Sequence, residues 1–93
     1  MGSFNAKKQK EELDAFIDRL NYFKQKNMQE WYLNCLNRVL SEYIRLSINS
    51  NTKIYKRIIR NFIKNAYHKN IKTKIRWHLE LNFPKLMAKI YRL

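Results

Sequence analysis

Apolar residues recur at helical intervals along most of the chain. Leu13, Phe16, Ile17, Leu20 and Phe23 fall at i, i+3, i+4, i+7 and i+10, a single stripe on a helix predicted over residues 6–26. Glu11, Glu12 and Asp14 sit in its first half, where they complement the positive helix start. Asn27 with Glu30 reads as a capping-box variant opening a second helix that runs to about Ile48, although Asn27 is a soft break and the two helices could fuse. The second helix has apolar residues over more than half its circumference: Met28, Trp31, Tyr32, Leu33, Cys35, Leu36, Val39, Leu40, Tyr43, Ile44 and Leu46. It is therefore expected to be the most buried, with Asn34, Asn37, Arg38, Ser41 and Arg45 as its narrow wet face.

Asn49-Ser50-Asn51-Thr52 is the clearest loop, and Asn51 or Thr52 can cap the next helix. That third helix is predicted over 53–69 from doublets every four residues: Ile54/Tyr55, Ile58/Ile59, Phe62/Ile63 and Ala66/Tyr67. Residues 71–83 carry two patterns. Ile71, Thr73, Ile75, Trp77, Leu79, Leu81 and Phe83 alternate as in a strand, while Ile71, Ile75, Leu79 and Asn82 or Phe83 keep a helical spacing. A lone strand would leave its backbone unpaired within this chain, so helix is the expectation; a strand would pair across a homodimer. Pro84 suits the first turn of a short last helix with Leu86, Met87 and Ile90 on its apolar side.

Composition agrees with helices. In 93 residues there is one Gly (Gly2) and one Pro (Pro84), too few for the turns of a sheet protein, and 45% of residues are apolar, too many for a disordered chain. The fold class predicted is all-α, a compact bundle of four to five helices forming one domain over 1–93, with residues 1–5 a flexible start. Cys35 is the sole cysteine, no apolar secretory segment opens the chain, and no apolar run approaches the roughly 18 residues of a membrane span. These features place the chain, as an expectation, in a reducing intracellular compartment such as cytoplasm or nucleus.

Charge changes the picture. The formal net charge is +13, and its distribution is lopsided: eight basic and six acidic residues before Asn51, twelve basic residues against Glu80 alone from Asn51 onward. Heavy use of Lys, Asn, Ile and Tyr is what AT-rich coding produces, but such a bias does not create an asymmetry between halves. At about 100° per residue, Lys53, Lys56, Arg57, Arg60 and Lys64 fall within an arc of roughly 100° on the third helix, opposite its apolar doublets. Like charges so placed repel by a few tenths of a kcal/mol per pair, and the helix carries no anion to relieve them. Lys69, Lys72, Lys74 and Arg76 extend the basic surface, and Tyr67 projects on the wheel between Lys56 and Arg60. These ten residues form the expected nucleic-acid-binding set: lysines meet phosphates, and the planar forks of Arg57 and Arg60 suit bidentate phosphate or base-edge contacts. Tyr55 and Trp77 are read mainly as core, with stacking on bases as the alternative.

The remaining chemistry points away from catalysis. His68 and His78 lack the spacing of zinc ligands, Cys35 has no neighbouring base, and the Glu11, Asp14 and Asp18 side reads as a solvated, charge-paired face. No cofactor, metal or catalytic residue is expected. No helix-turn-helix signature with its glycine turn is present, so sequence-specific readout is not implied. The expected function is non-catalytic nucleic-acid binding. The alternative is a small interaction or inhibitory module docking on an acidic protein surface, with Trp31, Tyr32 or Trp77 as anchor. Binding to anionic membranes ranks third, because the third helix needs its apolar face for the bundle.

Overall fold

The computed structural model describes residues 6–66 and 70–93; the expected flexible start at 1–5, together with Tyr67, His68 and Lys69, lies outside the described residues. The described chain is all-α. Its helices are α1 (Ala6–Gln25), α2 (Gln29–Ser47), α3 (Lys53–Asn65), α4 (Ile71–Asn82) and α5 (Pro84–Ile90). The radius of gyration, 13.0 Å, is that of a packed domain of this length.

Helix α2 is the hub. It packs against each of the other four helices, most extensively against α1. The sequence reason is its wide apolar arc: Tyr32, Cys35, Leu36, Val39, Leu40, Tyr43, Ile44 and Leu46 are all buried. Leu13, Ile17 and Leu20 of α1 pack on one side of it, and Ile59, Phe62, Ile63, Trp77, Leu81, Met87 and Ala88 close the core from α3, α4 and α5. Two guanidiniums, Arg19 and Arg38, lie over the Phe16 ring at 5.3 Å where α1 meets α2.

The turn between α1 and α2 differs from the expected capping box. Asn27 has φ 55°, a left-handed conformation that Asn tolerates better than most residues. The Asn27 N–H donates to the Lys24 carbonyl and the Met28 N–H to the Phe23 carbonyl, a Schellman arrangement closing α1. Asn27 therefore ends one helix instead of starting the next. Met28 stands at the α2 N-cap and makes no side-chain cap bond.

Two buried tyrosines of α2 tie down the downstream helices. Tyr32 donates its hydroxyl to the Phe62 carbonyl at 2.6 Å, and Tyr43 donates to the Leu81 carbonyl at 2.9 Å. Both carbonyls lie in the last turn of their helix, where backbone acceptors run out of intrahelical donors. Burial pushes the Tyr32 hydroxyl up to about 12. Helix α3 stops at Asn65 with Ala66 extended (ψ 123°), ahead of the predicted end, whose residues 67–69 lie outside the described residues. The amphipathic pattern alone does not report where tertiary partners take over the terminal carbonyls.

Residues 71–82 are helical, which removes the strand reading and the homodimer argument built on it. Asn70 caps the helix, its side chain accepting from the Lys72 N–H. The buried side is Trp77, Glu80 and Leu81, and the Trp77 indole donates to Asn37 Oδ1 at 2.8 Å. The helically spaced row Ile71, Ile75 and Leu79 points the other way, to the surface. Pro84 occupies the first turn of α5 as predicted, but Met87 and Ala88 form its buried side while Leu86 and Ile90 are exposed.

Candidate nucleic-acid interface

Helix α3 is held by its apolar side. Ile59, Phe62 and Ile63 are buried, Tyr55 and Ile58 are partly buried against the core, and the Tyr55 hydroxyl donates to Asp14 Oδ1 of α1 at 3.0 Å. Burial, and then that hydrogen bond to Asp14, pushes the Tyr55 hydroxyl up to about 12. With this side fixed, the opposite side must face out. Lys53, Arg57, Arg60 and Lys64 are exposed, and Lys56 lies half-buried at the edge of the row. At about 1.5 Å per residue the row is about 16 Å long.

Among the described residues, none of these five cations makes an ion pair. Three of the seven carboxylates have other partners. Glu80, the sole acid after Asn51, is buried on α4, 3.7 Å from the Arg76 guanidinium, and accepts from the Tyr91 hydroxyl. Burial raises the Glu80 pKa, and Arg76 and Tyr91 pull it back only in part. Glu42 is buried on α2 between Arg38 and Arg45. Asp14 takes the Tyr55 hydroxyl.

The N-terminal end of the row opens into a cleft of about 910 Å³. One wall is the loop from Asn49 to Thr52 with Lys53 and Lys56; the other is the α4–α5 corner, with Phe83, Pro84, Lys85 and Leu86. Tyr43 lines its inner side, its hydroxyl bonded to the Leu81 carbonyl of α4. Burial raises the Tyr43 pKa, while the Thr52 side chain and the Arg60 charge lower it. The Asn51 side chain accepts from the Lys53 N–H and sets the start of α3. The cleft thus gathers three lysines, Lys53, Lys56 and Lys85, beside an exposed phenylalanine.

Sequence reasoning found Lys53 and Lys56 but missed Lys85 and Phe83. Nothing in the local sequence says that the start of α5 lies across the cleft from the start of α3, a tertiary relation that follows from α2 packing on α3, α4 and α5. A smaller cleft of about 350 Å³ lies at the α1–α2 turn, where Asn65 at the end of α3 meets Phe23, Lys24, Met28 and Tyr32.

The other expected site residues divide. Lys72 and Lys74 are exposed on α4, outside the cleft. Arg76 is engaged internally, paired with Glu80 and donating to Asn37 Oδ1 at 3.0 Å. Tyr67 and Lys69 lie outside the described residues. Trp77, 1% exposed, is core and cannot be a surface anchor; Tyr32 is core as well. Trp31 is 60% exposed, with its ring centroid 5.9 Å from that of Phe23. Cys35 is buried, its thiol donating to the Phe16 carbonyl, and burial raises its pKa. Among the described residues no group of three or more His, Cys, Asp or Glu could hold a metal ion, and no helix is long and apolar enough to cross a membrane. No known protein family, curated protein or solved structure matches the chain.

Proposed function

We propose that this chain is a non-catalytic nucleic-acid-binding protein that contacts the phosphate backbone through the outer side of α3. The supporting observation is the row Lys53, Arg57, Arg60 and Lys64, exposed on one side of a helix and unpaired with any carboxylate among the described residues. Such a row destabilises the isolated protein through mutual repulsion. Against a polyanion the same repulsion disappears, and the release of condensed counterions drives association. A length of about 16 Å matches roughly five nucleotide steps of about 3.4 Å along a duplex strand, enough for each cation to reach a phosphate. Lys85 adds a cation at one end of the row.

The test is a binding titration of the wild type against Arg57→Gln, Arg60→Gln and Lys64→Gln combined. All three side chains are exposed and their mutual repulsion is relieved, so the melting temperature should stay level or rise slightly. Affinity for a DNA or RNA fragment should fall at least tenfold at low salt. Unchanged affinity with an unchanged fold would refute the proposal.

The second reading, docking on an acidic protein surface, is supported by a different part of the molecule. Ile71, Ile75 and Leu79 form an exposed apolar row on α4, with Lys72 and Lys74 on its flanks, and Trp31 remains available as an aromatic anchor. An acidic-flanked apolar helix would complement that row. Binding that persists in the α3 triple variant but is lost in Ile71→Ser with Ile75→Ser would favour this reading.

A further inference from the structure

We infer that the nucleic acid bound is single-stranded, with one unpaired base stacked on Phe83 inside the cleft at the start of α3. This deepens the nucleic-acid reading above and rests on it.

Phe83 is 55% exposed although it sits at the junction of two helices and lines a cleft. Its backbone explains the position. Phe83 ends α4 and begins α5 with φ −128° and ψ 55°, while its N–H donates to the Leu79 carbonyl and its carbonyl accepts from Met87. The backbone is thus held by both helices while the ring is left at the rim of the cleft. Lys53 and Lys56 stand on the opposite wall, and Lys85 two residues along the same wall. An exposed aromatic ring in a cleft also lined by lysines is an arrangement that suits a nucleotide as a unit, base on the ring and phosphates on the cations. The Asn51 side-chain oxygen is committed to the Lys53 N–H and Tyr43 to Leu81, while Asn49 and Ser50 leave polar side chains on the loop wall opposite Phe83. Stacking of that kind accepts any base.

The concave shape separates single strands from duplexes. In a duplex the bases are stacked on one another and paired, with only their edges presented in the grooves, so no base face can reach a ring inside a cleft. A single strand can place one base in the cleft and run its following phosphates along Arg57, Arg60 and Lys64. The polar loop residues and the apolar Leu86 also suit a flat heterocycle with a polar edge.

The experiment is fluorescence anisotropy at low salt with a labelled oligothymidylate and a labelled mixed-sequence duplex of equal length. The proteins are the full chain, Phe83→Leu and Phe83→Trp. The expected result is tighter binding of the single strand. Phe83→Leu should weaken single-strand binding about tenfold, a loss within the range of one base–aromatic stack, and leave duplex binding as it was. Phe83→Trp should restore it, which separates stacking from simple bulk. Equal affinity of the wild type for both forms, with Phe83→Leu binding like the wild type, would overturn this inference while leaving the α3 phosphate reading standing. No salt-sensitive binding of either probe would overturn both.

Discussion

The tyrosine bridges from α2 offer the sharpest test of the architecture. In Tyr43→Phe a single oxygen is removed from a side chain 1% exposed, so packing is conserved and no sizeable cavity forms. What is lost is the 2.9 Å bond to the Leu81 carbonyl. That carbonyl lies in the last turn of α4 within a buried residue, so water cannot freely replace the hydroxyl. Leaving a buried acceptor without its donor costs about 1–3 kcal/mol. A domain of this size has an unfolding entropy near 0.2 kcal/mol per kelvin at its midpoint, so the expected fall in Tm is about 5–15 °C. Tyr32→Phe removes the equivalent bond to Phe62 and should behave alike. The two sites are about three turns apart on α2, so their effects should add within about 0.5 kcal/mol. Thermal and urea melts followed by circular dichroism measure the two single variants and their combination. If Tyr43→Phe were as stable as the wild type, the claim that this hydroxyl holds the α4 end, and with it the cleft wall, would be wrong.

Four other outcomes are expected of the same structure. With Tyr32 pushed up to about 12 from an ordinary value near 10, the stabilisation it contributes is complete below about pH 10 and is lost as pH rises toward 12; a pH series of urea melts should show this decline, and Tyr32→Phe should reduce it. The raised Glu80 pKa means its charged form is disfavoured by folding, so Glu80→Gln, which keeps a carbonyl acceptor for Arg76 and places an amide N–H that can donate to the Tyr91 oxygen, should not lower Tm at neutral pH; a fall of more than a few degrees would show that the charge itself stabilises the α4–α5 region. Of the chain's two tryptophans, Trp31 is exposed and Trp77 buried, so acrylamide should quench about half of the fluorescence, and Trp31→Phe should leave a blue-shifted signal resistant to quenching. Asn27→Gly should hold or raise stability, because glycine adopts φ 55° without strain, whereas Asn27→Val should lower it by about 1–2 kcal/mol in a urea melt.

Much of the fold is legible in the sequence because α1, α2 and α3 each carry one unambiguous period. The breadth of the α2 apolar arc correctly marks it as the most buried helix, and the scarcity of Gly and Pro argues for helices throughout. Residues 71–83 are harder because every second residue is apolar, so both periods fit; the decision lies in which of those residues find partners. Trp77 and Leu81 do, through Asn37 and Tyr43, and Ile71, Ile75 and Leu79 do not. The wheel defines that row but not the direction it faces. Asn27 misleads because Asn serves both as an N-cap and as a left-handed helix stop, and only the backbone distinguishes the two. At the candidate interface, the α3 cations are visible from their spacing alone. Arg76 is not visible as an internal partner of Asn37, because that contact joins residues 39 apart in sequence. Lys85 and Phe83 are hidden for the same reason, since their place in the cleft depends on the α4–α5 corner lying across from the start of α3.

The central claim is that the outer side of α3 meets phosphates, and the salt dependence of binding measures that contact most directly. Each phosphate neutralised on a duplex adds about −0.9 to the slope of log K against log salt, and about −0.7 on a single strand. The wild type should give a slope steeper than about −2, and the Arg57→Gln, Arg60→Gln, Lys64→Gln variant a slope shallower by about 2–3. A wild-type slope near zero, or the same steep slope in the variant, would contradict the account.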